Sequence, residues 1–139
     1  MLRTFFVSQV VIILLLNGCA DNKSGIKVTD LRCENLSGPL GIGTTSPRVS
    51  WKIRSERNGT SQKAFQIIAA GDRNLLNEKS ANLWNSGKIL SSASVLVPYQ
   101  GKELSSGSLC FWKVRVWDEN DEMSEWSDVT LFSVGLIDK

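Results

Sequence analysis

The chain has 139 residues, a formal charge of +2 and no histidine. One domain is the expectation at this length, and the near-balanced charge offers no electrostatic case for a nucleic-acid partner. With histidine absent, the commonest general base and the commonest metal ligand are both unavailable.

The first residues read as a targeting segment. Arg3 gives a short positive start, and Phe5 to Leu16 is an almost uninterrupted apolar run, too short to cross a bilayer comfortably. It ends in Leu16-Asn17-Gly18-Cys19, which resembles the bacterial lipobox. The small residue lets a signal peptidase approach, and the thiol of Cys19 becomes the nucleophile that carries lipid. The competing reading is an ordinary secretory signal with an incidental cysteine. The expectation is a cleaved lipoprotein signal peptide over 1–18, lipidated Cys19 and a polar tether over 19–25, a folded unit over 26–136 and a short end over 137–139. Lipid on Cys19 would hold the chain to a membrane without spanning it, on the periplasmic or extracellular face of a bacterial cell envelope. Such a compartment permits disulfides, so Cys33 and Cys110 either pair or stay buried as thiols. Pairing needs Cα atoms within about 7 Å, which the sequence leaves open.

In the folded unit, Ile26 to Cys33 reads as a first strand, and the turn-rich stretch Ser37 to Gly43 as a loop. Arg48 to Arg54 alternates, with Val49, Trp51 and Ile53 facing one way, and Pro47 suits a strand entrance. Glu56 to Gln62, with Asn58-Gly59, reads as a turn between strands. Lys63 to Ala70 follows, with Phe65, Ile67 and Ala69 inward. Arg73 to Lys79 has the composition of one or two helical turns, with Leu75 and Leu76 available for packing. Leu83 to Ile89 is a weaker strand interrupted by Gly87, and Ser94 to Val97 is a short one closed by Pro98-Tyr99. Leu109 to Asp118 has the clearest period of two: Cys110, Trp112, Val114 and Val116 lie on one side, Lys113 and Arg115 on the other. After the charged turn Asp118 to Glu122, the run Val129 to Val134 completes a long hairpin. About seven short strands predict an all-β, two-layer antiparallel sandwich of fibronectin type III or immunoglobulin-like type. Its core would hold Trp51, Trp112, Val114, Val116, Phe65 and Ile67.

The last hairpin is similar to that of fibronectin type III domains. Leu104, with Cys110 six positions later, matches the leucine-to-tyrosine spacing of that family's corner, but a cysteine stands where tyrosine is usual. The resemblance therefore implies a missing corner hydrogen bond and a looser corner. Ser124-Glu125-Trp126-Ser127 resembles the family's serine-x-tryptophan-serine segment, which implies Trp126 stacking over Arg115 or Lys113.

A more particular resemblance is to the N-terminal β-sandwich of bacterial α-L-rhamnosidases. It runs through Thr29-Asp30-Leu31-Arg32-Cys33-Glu34, Pro39-Leu40-Gly41-Ile42 and Ser46-Pro47-Arg48-Val49-Ser50-Trp51. It continues in Ala64-Phe65-Gln66-Ile67, Leu83-Trp84-Asn85-Ser86-Gly87-Lys88, Val97-Pro98-Tyr99-Gln100-Gly101, the Trp112 to Asp118 strand and Phe132 to Leu136. Asparagine stands at position 85, where the family usually has aspartate. The resemblance covers residues 26 to 136 and implies the leading module of a glycosidase that removes terminal α-L-rhamnose by inversion. Its catalytic carboxylates would lie in an (α/α)6 barrel downstream, so no residue here inherits a catalytic role. The resemblance implies that barrel and a polysaccharide as partners; the membrane partner follows from the lipid on Cys19, and no cofactor and no metal are expected. The chain is then a truncated or fragment product of such a gene. The alternative is a free-standing surface lipoprotein binding a glycan or a protein.

The residues that invite other chemistry have plain competing readings. Asp118, Glu119, Asp121 and Glu122 are carboxylates on a hairpin tip, where water would level their acidity. The sandwich is expected to leave no cleft in which two reacting carboxyls face each other at the about 6.5–9.5 Å an inverting mechanism requires. A calcium loop from Asp118 lacks its glycine and its closing glutamate, since Met123 and Val129 stand there. Trp84, Tyr99, Phe111 and Trp117 are candidates for sugar stacking or for contact with a following domain. The sequons at Asn35 and Asn58 carry no weight in a bacterial lipoprotein.

Overall fold

The computed structural model describes residues 23–137. The segment expected to be a signal peptide, Cys19 and the first part of the expected tether lie outside the described residues, as do Asp138 and Lys139. Eight strands form two antiparallel sheets, with almost no helix. Strands β1 (Lys27–Cys33), β2 (Arg48–Arg54) and β6 (Val97–Pro98) make a three-stranded sheet in the order β1-β2-β6. The larger sheet has β4 (Trp84–Asn85), β3 (Gln62–Ala70), β7 (Leu109–Asp118) and β8 (Thr130–Ser133) in that order, and β5 (Ile89–Leu90) also pairs with β3.

The core lies between the sheets. Trp51 and Trp112 are 2% and 1% exposed, and Phe65, Ile67, Val114, Val116 and Phe132 fill the space around them. The period-two pattern of β7 is realised along its length: Cys110, Trp112, Val114, Val116 and Asp118 are buried, and the residues between them are half-buried or exposed. Strand β3 departs from simple alternation. All its residues from Ala64 to Ala70 are buried. Its outward Ile68 and Ala70 lie under Leu76, Trp126 and Val129, so a second small cluster covers the far face of the sheet. A strand this apolar, with Gln66 the one polar residue from Ala64 to Ala70, is the signature of burial on both faces.

The fold bears out some expectations and corrects others. The Glu56–Gln62 segment is the expected turn between strands, and it carries the chain from one sheet to the other, since β2 and β3 belong to different sheets. Of the one or two helical turns expected over Arg73 to Lys79, one forms, the 3-10 turn Arg73–Leu75, started by the Asp72 carboxylate accepting from the Asn74 N–H. Only Leu76 packs; Leu75 stays 37% exposed. The weak strand splits at Gly87 (φ 63°) into β4 and β5, both on β3, and this raises the strand number to eight. The hairpin is also shorter than its pattern suggests: β7 pairs with β8 only from Leu109 to Trp112. Beyond Trp112, the Ser124–Ser127 segment takes over as the neighbour of β7.

Candidate functional site

The outward face of β7 gathers most residues of interest. Phe111, Lys113, Arg115 and Trp117 project there by strand alternation. Arg115 lies 4.4 Å from the ring centre of Trp126 and 5.5 Å from that of Trp117; Lys113 lies 5.1 Å from Trp126, and Lys88 lies 4.9 Å from Trp117. Arg73 stands 5.5 Å over Phe111. Cations and rings therefore stack in one layer, each contact of the order of 0.5–1 kcal/mol where it stays wet. Arg115 is held in place by donating to Gln66 Oε1 at 2.9 Å and to Glu78 Oε1 at 2.6 Å. Partial burial and the neighbouring Arg115 charge pull the Lys113 ammonium below its ordinary value, while Glu78 opposes them.

The Ser124–Ser127 segment continues the sheet by alternating backbone and side-chain bonds. Ser127 and Ser124 donate their N–H groups to the carbonyls of Val114 and Val116, at 2.8 Å each. Their hydroxyls accept from the N–H groups of the same two valines at 3.0 Å. Serine at these two positions supplies the acceptor that a regular strand would supply from its backbone, and Trp126 between them is aimed at the cations.

The four candidate aromatic residues are not brought together as a bare platform. Trp84 is only 8% exposed and belongs to the core, packed edge-to-face on Tyr99 at 5.1 Å, so its expected surface role is corrected. Tyr99 donates its hydroxyl to the Lys102 carbonyl at 2.8 Å, and burial pushes its ionisation upward. Its ring and that of Trp84 line the same small void as Cys110. At position 110 itself the Cys110 thiol reaches only the Phe111 carbonyl, at 3.8 Å, while the Tyr99 hydroxyl ties the backbone after β6. Phe111 and Trp117 do reach the outer face, yet each has a cation over its ring.

In the acidic turn Glu119 and Asp121 are exposed, as expected of a solvated tip, but Asp118 is not. Asp118 is fully buried. It accepts from Arg57 Nη2 at 2.8 Å and from the N–H groups of Asn120 and Glu122 at 2.9 Å each. A buried carboxylate needs such partners, and here they close the turn. Asp121 pairs with Lys88 at 2.6 Å and Lys63 at 3.6 Å, and the Lys88 bond leads in holding its carboxyl below the usual range. Glu119 accepts from the Ser61 N–H.

An opening of about 520 Å³ forms a groove between β1 and residues 125–130. Asp30, Glu125 and Asp128 reach it. Asp30 pairs with Lys52 at 2.7 Å and Arg32 at 3.0 Å, and those bonds, Lys52 foremost, hold its carboxyl below the usual range. Glu125 pairs with Lys23. A general acid needs a carboxyl held protonated, so the effect on Asp30 runs opposite to that requirement. Among the described residues, no three acidic or cysteine side chains gather as a metal site. Cys33 and Cys110 are free and buried, and desolvation pushes both thiols up to about 12.

Residues absent from the sequence-based list complete the outer layer: Gln66, Glu78, Asn85 and Lys88. Gln66 Nε2 donates to Asn85 Oδ1 at 2.9 Å and to Glu78 Oε1 at 3.2 Å, and Asn85 Nδ2 donates to the Glu78 carbonyl at 3.2 Å. An ionised aspartate at position 85 could accept the first of these bonds but could not donate the last. The available signal was Gln66, a lone polar residue inside an apolar strand.

Comparison with known proteins follows the same architecture. Residues 28–138 match the family model described as Rha78A-like, N-terminal immunoglobulin domain. An α-L-rhamnosidase of Formosa agariphila is 43% identical over 103 residues, covering 74% of this chain and 11% of that protein. One from Alteromonas sp. is 38% identical over 141 residues, covering 98% of this chain and 15% of that protein. The crystal structure of the Streptomyces avermitilis α-L-rhamnosidase complexed with L-rhamnose superposes with a TM-score of 0.75 at 38% identity, over 79% of this chain and 10% of that one. The chain thus spans only 10–15% of the length of these relatives. With two antiparallel sheets closed around Trp51 and Trp112 and a match over nearly all described residues, the chain belongs to the Rha78A-like N-terminal immunoglobulin domains found at the head of α-L-rhamnosidases.

Proposed function

We propose that the chain is the non-catalytic leading sandwich of a cell-envelope α-L-rhamnosidase acting on rhamnosides or plant polysaccharides. Its role is to support or position a catalytic (α/α)6 part outside these 139 residues. A lipid on Cys19, at the end of the apolar N-terminal run, would hold the assembly to the membrane. The observation that carries the reading is how fully its chemistry-bearing side chains are committed to the sandwich itself. The outward rings of Phe111 and Trp117 lie under cations, Asp118 is buried on Arg57, and Asp30 is held ionised by Lys52 and Arg32. Such a surface serves rigidity and packing better than proton transfer or sugar stacking.

The test is an assay of the purified chain with an aryl α-L-rhamnoside, beside a titration with rhamnose-containing oligosaccharides. Neither turnover nor saturable binding is expected. Turnover by the chain alone would sink the reading, and saturable binding lost on Trp117→Ala would replace it with a free-standing glycan-binding lipoprotein. For the anchor, Cys19→Ser is expected to move the protein from the membrane fraction to the soluble one.

A further inference from the structure

Leu40 and Leu136 are 76% and 93% exposed, yet both stand on tightly held backbone. The loop before β2 lies along the free edge of β8. Ser133 N–H donates to the Pro39 carbonyl at 3.0 Å, Ile42 N–H to the Ser133 carbonyl at 2.8 Å, and Gly135 N–H to the Ile42 carbonyl at 2.9 Å. Gly41 N–H adds a bond to Ser133 Oγ at 2.8 Å. Gly41 sits at φ 77°, and a Cβ on Gly135 would come within 3.0 Å of the Gly41 carbonyl oxygen, so the two glycines let the segments lie flush. Each leucine is one residue from that contact. The exit of the chain is held as well: Ile137 N–H donates to Ser106 Oγ at 3.0 Å, and the Ser106 hydroxyl donates back to the Ile137 carbonyl.

A single exposed leucine is ordinary on a protein surface. Two of them, on immobilised backbone beside the point where the chain leaves the sandwich, form a prepared apolar seat. We infer that Leu40 and Leu136, on either side of the Gly41–Gly135 contact, are the docking surface for the next domain of the same enzyme. The inference rests on the module reading above. That reading puts the catalytic part of the polypeptide on the C-terminal side of Ile137, and the relatives devote all but 11–15% of their length to sequence outside the match. Burial of both side chains would couple the two units, since removing their apolar surface from water favours the docked state.

The test joins the full chain to the Alteromonas α-L-rhamnosidase in place of its matched N-terminal segment. Calorimetry and limited proteolysis then follow the product. The unmutated chimera is expected to hydrolyse an aryl rhamnoside and to unfold in one transition. Leu40→Glu with Leu136→Glu is expected to split off an earlier transition for the sandwich and to speed its proteolytic release at least about tenfold. Leu90→Glu, at an equally bare leucine elsewhere on the sandwich, should do neither. Circular dichroism of each variant chain alone, matching the unmutated chain, shows that the fold survives. A double variant that keeps one transition and an unchanged release rate overturns the docking surface and leaves the module reading intact, as does an equal effect of Leu90→Glu. An inactive chimera, or one whose parts unfold independently before any substitution, overturns the module reading and the inference with it.

Discussion

A methyl group added at Gly101 would stand 2.5 Å from the Leu83 carbonyl oxygen, 2.5 Å from the Tyr99 hydroxyl and 2.6 Å from Trp84 Cβ. Two of these three are backbone or the root of a buried side chain, so neither can swing aside. The same carbonyl accepts from the Lys102 N–H at 2.7 Å, and the same hydroxyl donates to the Lys102 carbonyl. Gly101→Ala is therefore expected to cost about 1–3 kcal/mol, the usual penalty for overpacking, measured as a lowered urea midpoint. Gly43, where a Cβ would meet nothing within 4 Å and φ is not positive, is the control. Its change to Ala should be neutral or slightly stabilising, through the unfolded chain. A Gly101 variant as stable as the Gly43 one would show that the close approach imposes nothing. The thiols give a second test at this scale. Cys33 and Cys110 are 1% and 0% exposed, and burial holds both as thiols far above pH 8, so the reactive thiolate is scarce in the folded protein. In a Cys19→Ser background, alkylation at pH 8 should be negligible until denaturant is added. Both residues should then react without reductant; a denatured chain with no reactive thiol would mean that they had bonded to each other.

Between residues and the whole fold, the instructive element is the pairing of β7. Its first part pairs with β8, but from Val114 on the partner is the Ser124–Ser127 segment, where serine hydroxyls stand in for backbone carbonyls. Removing a hydroxyl leaves a buried N–H without its acceptor, a loss of about 1–3 kcal/mol. Ser127→Ala and Ser124→Ala are each expected to lower stability by that order. They should also speed amide exchange at Val114 and Val116 above that at Trp112, which stays in the β7–β8 ladder. Unchanged exchange at those two amides would refute the role of the serines. The period-two pattern of β7 was plain in the sequence because one face is buried and the other is mostly polar. The serine bridge was legible only through the resemblance around Trp126, since its bonds join side chain to backbone across a loop and leave no periodicity. The division of Leu83–Ile89 was hinted at by Gly87. The strand-like β3 was legible as apolar, but not its burial on both sides, because the cover comes from Leu76 and Trp126, far away in sequence. The outer layer was half visible: Phe111, Trp117, Lys113 and Arg115 follow from alternation, whereas Glu78 and Lys88 arrive from loops whose paths alternation does not describe. Asp118 was misjudged for a related reason, since the partner that allows its burial, Arg57, comes from the loop joining the two sheets.

At the scale of the molecule, one buried link joins both layers and a loop. Trp51, on the three-stranded sheet, donates its indole N–H to Gln62 Oε1 at 2.9 Å, and Gln62 opens β3 in the larger sheet. The amide of Gln62 then donates to the carbonyls of Ser91 and Ala93, at 3.0 and 2.9 Å, in the segment leading to β6. Trp51 also meets Phe65 edge-to-face at 5.1 Å, again across the sheets. Because the same indole supplies packing to one layer and a hydrogen bond to the other, neither sheet has a complete core without its partner. Trp51→Phe keeps most of the packing but leaves Gln62 Oε1 without its donor, for a loss of at least about 1–3 kcal/mol. Trp51→Ala removes both, for about 3–5 kcal/mol, a large share of the 5–15 kcal/mol usual for a domain. If the layers depend on each other as this link implies, both variants should still unfold in one step, with far-ultraviolet dichroism and tryptophan fluorescence giving the same midpoint. Separate midpoints in Trp51→Ala, with one sheet outlasting the other, would mean that the sandwich is two weakly coupled sheets and that Trp51 merely fills space between them.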